Sequence, residues 1–114
     1  MPATPIPFSV TDWTRVPVVE EKGITGIASI KTLNLGDVIL RQIEYSSNFE
    51  SDHFCQKGHI VYCISGAIEI ELSNDSIHTI TAGNTFQVAN EESSHKLYSK
   101  AGAKIFIADG AFLK

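Results

Sequence analysis

The chain has 114 residues, 43% of them hydrophobic, with 13 acidic against 9 basic side chains and a formal charge of −4 at neutral pH. That length suits one domain with a modest core. The mild acidity supplies no basic stripe to neutralise phosphates, which argues against nucleic acid, and no apolar run nears the ~20 residues of a membrane-spanning helix.

At the N-terminus, Met1-Pro2-Ala3-Thr4-Pro5 has no basic stretch followed by an apolar one, so no secretory signal is expected. The expected compartment is therefore the reducing cytoplasm, where two cysteines point to metal or redox chemistry before a disulfide. All four prolines (Pro2, Pro5, Pro7 and Pro17) fall within this opening segment. Proline fixes φ and removes a backbone donor, so residues 1–22 should form an extended arm. Phe8, Trp13, Val16, Val18 and Val19 are too apolar for a solvated tail. The arm is expected to lie on the rest of the domain or across a second subunit, and a homodimer is the expected assembly.

From residue 23 to residue 114 the chain reads as short strands. Runs at Ile24–Leu33, Val38–Tyr45, His59–Ile64, Ala67–Leu72, Ile77–Ile80, Thr85–Ala89, Lys96–Tyr98 and Ala103–Ala108 are rich in β-formers. The clearest alternation is Ile68, Ile70 and Leu72 against Glu69 and Glu71, the period of a half-buried strand. Turn residues separate the runs, among them Leu35-Gly36-Asp37, Lys57-Gly58, Ser65-Gly66, Ser73-Asn74-Asp75 and Ala82-Gly83-Asn84. No helical period is sustained anywhere. The expectation is an all-β single domain, a closed barrel or jelly roll that leaves few exposed edges.

The chemistry gathers around Asp52-His53-Phe54-Cys55-Gln56-Lys57-Gly58-His59. His53 and Cys55 are two apart on a predicted strand, so both side chains leave one face. Lys57-Gly58 can turn the chain back, with Gly58 free to take a positive φ, and His59 opens the next strand toward the same interior. His95 lies far along the chain, past the strand Phe86–Val88. A lone histidine is more often a core or surface residue, but three donors in this register favour metal. His78, beside Asp75, Ser76 and Thr79, reads as a surface residue. Cys63 shares the parity of His59 and Val61 and reads as a buried structural thiol.

The spacing resembles the cupin superfamily motifs. In the first, His-x-His, three or four residues, Glu, six residues, Gly, the positions are taken by His53, Cys55, His59 and Gly66. In the second, Gly, five residues, Pro-x-Gly, two residues, His, Gly83 matches the start, Ala89 stands for the proline and Glu91 for the second glycine. His95 arrives one residue late. Over nearly its whole length, and most specifically at Asp52-His53-Phe54-Cys55 and Lys57-Gly58-His59, the chain is similar to the DHCW-motif cupin fold proteins, with Phe54 where that group has tryptophan. The resemblance implies a single-domain cupin, a double-stranded β-helix or jelly-roll barrel, with one metal ion held by His53, Cys55, His59 and His95. It implies no particular substrate, because one fold hosts many activities.

Three imidazoles and a thiolate suit a divalent transition metal, zinc first and iron, nickel or copper as alternatives, and disfavour magnesium and calcium. Four protein ligands close a tetrahedral zinc site, whereas catalytic zinc keeps a position open. The expected function is therefore a small metal-binding cupin with no biochemical role assigned, binding one transition-metal ion in the barrel and open to a small-molecule ligand. A metal-dependent oxygenase or isomerase is the alternative.

Overall fold

The computed structural model describes residues 6–52 and 54–113. Among these described residues nine strands follow one another: β1 (Val18–Lys22), β2 (Ile27–Leu35), β3 (Val38–Tyr45), β4 (Phe49–Glu50), β5 (His59–Leu72), β6 (Ile77–Thr81), β7 (Thr85–Val88), β8 (His95–Ser99) and β9 (Ala103–Gly110). Every ladder between them is antiparallel. One sheet runs β1-β2-β3-β9-β5, with β7 on the far side of the first half of β5. The second runs β6-β5-β8-β4, built on the second half of β5. The result is the all-β jelly-roll barrel of the sequence reading, with one 3-10 turn at Trp13–Arg15. Among the described residues no helix is long and apolar enough to cross a membrane.

Strand β5 ties the two sheets together. The predicted turn at Ser65-Gly66 is not a turn: the strand runs on for 14 residues, and its register against β9 slips between Cys63 and Ser65. Gly66 sits there at φ +75°, and a Cβ on it would come within 2.3 Å of the Gly102 carbonyl oxygen. A bulge adds one residue and re-aims the strand. Val61 and Cys63 are therefore buried before it, and Ile68 and Ile70 after it, on the opposite parity. That parity switch made one bent strand look like two.

The core follows from period-two alternation. Ile43 and Tyr45 of β3, Val61 and Cys63 of β5, and Ala103, Ile105 and Ile107 of β9 point into one cluster with Ile68, Ile70, Ile80, Phe49 and Ala28. Tyr45 and Phe49 pack ring to ring at 4.6 Å. Strand β2 begins at Ile27 rather than Ile24, because Gly26 at φ +75° interrupts the extended run.

Within the opening segment, Asp12 caps the 3-10 turn by accepting from the Thr14 amide at 3.0 Å. Trp13 meets Phe106 edge to face at 5.8 Å, and its carbonyl accepts from Lys31 Nζ at 2.9 Å. Val18–Lys22 then adds β1 to the edge of β2. Phe8 and Val10, further out, are 95% and 84% exposed.

Candidate metal centre

Of the predicted strand that was to carry Cys55, the described residues form a single bridge. Cys55 pairs with His95: its amide donates to the His95 carbonyl at 2.7 Å and its carbonyl accepts from the His95 amide at 3.0 Å. Residues directly opposite in such a pair project to one side, so the bridge sets a thiol beside an imidazole forty positions away in the chain. His59, the first residue of β5, supplies the third donor. His53 lies outside the described residues.

Gly58 makes the approach possible in a different way from the one expected. Its φ is not positive; instead the 88–90 backbone lies against it, and a Cβ would fall 2.5 Å from the Asn90 nitrogen and 2.7 Å from the Val88 oxygen. The Gly58 amide donates to Asn90 Oδ1 at 2.7 Å, and the Glu91 amide to the Gln56 carbonyl at 2.8 Å. These bonds tie the loop carrying Cys55 to the loop leading into β8.

The ligand atoms of Cys55, His59 and His95 all lie within 4.8 Å of one another. Cys55 Sγ is 3.6 Å from His59 Nε2, and the two imidazole rings are 5.2 Å apart at 79°. A tetrahedral zinc with bonds of ~2.3 Å to sulfur and ~2.05 Å to nitrogen spaces those two ligand atoms about 3.6 Å apart. The donor set and its spacing fit a divalent transition-metal ion.

Each histidine is fixed through its other nitrogen. His59 Nδ1 donates to Asp109 Oδ1 at 2.5 Å, and the other carboxylate oxygen, Oδ2, accepts from the Arg41 guanidinium at 2.5 Å. His95 Nδ1 donates to the Ser93 carbonyl at 3.3 Å. Both Nε2 lone pairs are thereby left for a ligand role, the arrangement by which hydrogen-bond partners orient metal-binding histidines. Burial holds His95 below its usual pKa, in the neutral form that binds metal. Burial alone would raise Asp109, but its bonds to His59 and the charge of Arg41 outweigh that and hold it below the ordinary carboxylate range.

Arg41 and Asp109 were missed in the sequence. Arg41 shares the inward phase of Ile43 and Tyr45 on β3, and Asp109 that of Ile105 and Ile107 on β9, so a charged residue on an otherwise apolar inward phase was the available signal. Cys63 is fully buried and bonded to the Ser65 and Gly66 carbonyls, apart from the donor cluster, and burial pushes its thiol pKa up. His78 is exposed beside Ser76. Phe86 packs edge-on against His95 at 6.0 Å.

Behind the donors lies a cavity of about 570 Å³ inside the barrel. Cys55, His59 and His95 line it together with Arg41 and apolar walls that include Ile30, Ile43, Val61, Phe86, Leu97 and Ile107.

No family model and no curated protein matches the sequence. Solved structures do. Ectoine synthase from P. lautus superposes with a TM-score of 0.75 at 17% identity, over 90% of this chain and 78% of that one. An RmlC-like cupin from Shewanella frigidimarina gives 0.72 at 15% identity, over 92% of each chain. Oxalate decarboxylase from Bacillus subtilis gives 0.65 at 16% identity over 94% of this chain, which spans only 32% of that longer protein. The strand order, the β5 crossover and these likenesses lead to one conclusion: the chain has the fold of the cupin superfamily.

Proposed function

We propose that this protein is a metal-binding cupin that holds one divalent transition-metal ion through Cys55, His59 and His95, with His53 as fourth ligand, and presents it to a small molecule in the barrel. The observation that carries the reading is the convergence of one thiol and two imidazoles to within 4.8 Å at the wall of a cavity. Zinc is the ion of first choice, since one sulfur and three nitrogens in tetrahedral array suit it. Iron, nickel and copper accept the same donors. The Mn(II) centres of B. subtilis oxalate decarboxylase, which shares the fold, support a divalent ion in such a barrel. The Asp52-to-Cys55 run supports membership of the DHCW-motif group. Two free cysteines, one of them a donor, suit a reducing compartment such as the cytoplasm.

Metal analysis of protein purified without added metal tests the proposal. About one ion per chain is expected, with tight binding lost in Cys55→Ala and His59→Ala and kept in His78→Ala. Native affinity in the Cys55 and His59 variants would refute the ligand assignment.

An enzyme is the second reading, favoured by one specific observation: the donors face an internal cavity large enough for a substrate. Ectoine synthase and oxalate decarboxylase share the fold. Bound iron with substrate-dependent oxygen uptake would put this reading first; zinc without an exchangeable water would remove it.

The assembly we propose is a homodimer. Phe8, Val10, Val18 and the β5 residues Ile60, Tyr62 and Ile64 expose apolar surface that a second copy can cover. A monomer in sedimentation at micromolar concentration would rule it out.

A further inference from the structure

We infer that the small molecule taken by this barrel is a monocarboxylate with an apolar body, its carboxylate bound by Arg41 in the cavity that the metal donors line, where it balances the charge of the ion. The inference rests on the metal-binding reading above and names the ligand class of the same site.

The first support is the position of Arg41. It lies on the inward phase of β3 and lines the cavity, with 27% of its side-chain surface still accessible. A guanidinium carries five N–H donors. Asp109 Oδ2 takes a bond from one terminal nitrogen, and no other hydrogen bond is made by this side chain among the described residues. Asp109 thus anchors the group, and its remaining donors are available on the cavity side. Paired N–H donors of this kind match a carboxylate.

The second support is a charge balance. Bound as the thiolate that coordination requires, Cys55 cancels one of the two charges of a divalent ion, and the imidazoles cancel none. Arg41 and Asp109 cancel each other. The other charged residues bordering the cavity, Glu21, Lys22, Asp52 and Lys57, are exposed and balance in sign. One positive charge is left at the wall of a largely apolar cavity, where an uncompensated charge is costly. A monoanion neutralises it, and the walls of Ile30, Ile43, Val61, Leu97 and Ile107 take up an apolar chain.

Calorimetric titration of the metal-loaded protein with hexanoate, hexanol and hexylamine tests this, with metal content measured on the same samples. Hexanoate should bind, the alcohol and the amine should not, and hexanoate affinity should fall roughly tenfold to a hundredfold in Arg41→Met and less in Arg41→Lys. Equal binding of hexanol, or no binding of hexanoate by protein that retains its ion, would overturn the inference while leaving the metal site standing. Protein that takes up no metal would instead defeat the reading beneath it. The ligand series on the unmodified chain decides the matter even if an Arg41 variant fails to fold.

Discussion

Asp109 has both carboxylate oxygens committed, one to His59 Nδ1 and one to Arg41, with its side chain 4% exposed. Asp109→Asn keeps the shape but replaces an acceptor-only group with an amide that can present N–H to His59 and so release its tautomer. Metal affinity is expected to fall about 10-fold to 100-fold, read by competition with a chelator on protein shown to be folded by circular dichroism. A second residue carries strain that nothing at the site requires. Glu91 has φ +60°, a left-handed conformation that costs a residue with a Cβ roughly 1–2 kcal/mol. It occupies the position where the second cupin motif has glycine, so Glu91→Gly should raise stability by about 0.5–1 kcal/mol in urea unfolding, with metal affinity unchanged. Parity made the apolar inward residues legible in the sequence, and Cys55 and His59 were read from their spacing, while His53 lies outside the described residues. Asp109 escaped because the predicted strand stopped at Ala108, one residue short of the point where the same phase brings a carboxylate to His59.

At the scale of elements, the donor cluster is made by an approach between loops rather than by a strand. The Cys55–His95 bridge is a contact across forty positions, and no local pattern encodes it. Only the motif likeness brought His95 into the sequence reading. Two glycines with different duties separate site from scaffold. Gly58→Ala places a Cβ against the Val88–Asn90 backbone and must push the Cys55 loop away from β7 and β8. Overpacking of this kind costs about 1–3 kcal/mol, and the displacement should weaken metal binding as well. Gly66→Ala instead meets both a positive φ and the Gly102 carbonyl at the bulge of β5, far from the donors. It should cost about 2–4 kcal/mol of stability while the folded fraction binds metal normally. Metal titration of both variants, each referred to its own unfolding curve, distinguishes the two roles. The reading of Ser65-Gly66 as a turn shows why such a glycine misleads: positive φ serves a bulge as readily as a hairpin, and only pairing partners on both sides tell them apart.

For the whole molecule, an ion bound at the candidate site would couple binding to folding. The donors come from the loop before β5, the start of β5 and the start of β8, and Asp109 and Arg41 add β9 and β3. An ion held there joins both sheets, and the unfolded chain offers no such cluster. A ligand that binds only the native state stabilises it by RT ln(1 + [L]/Kd), about 2.7 kcal/mol at a hundredfold excess over Kd. For a domain of this size that amounts to a rise in Tm of roughly 10 °C. Scanning calorimetry of the zinc-loaded protein should show this rise, and excess chelator should abolish it. Cys55→Ala should give one transition, insensitive to zinc and chelator alike. The comparison removes a common ambiguity, because zinc that stabilised the chain by binding surface groups such as the exposed His78 would still do so in the variant. A zinc response surviving in Cys55→Ala would therefore place the ion elsewhere, whereas its loss, with the cooperative transition retained, ties the stability of the barrel to the three converging donors.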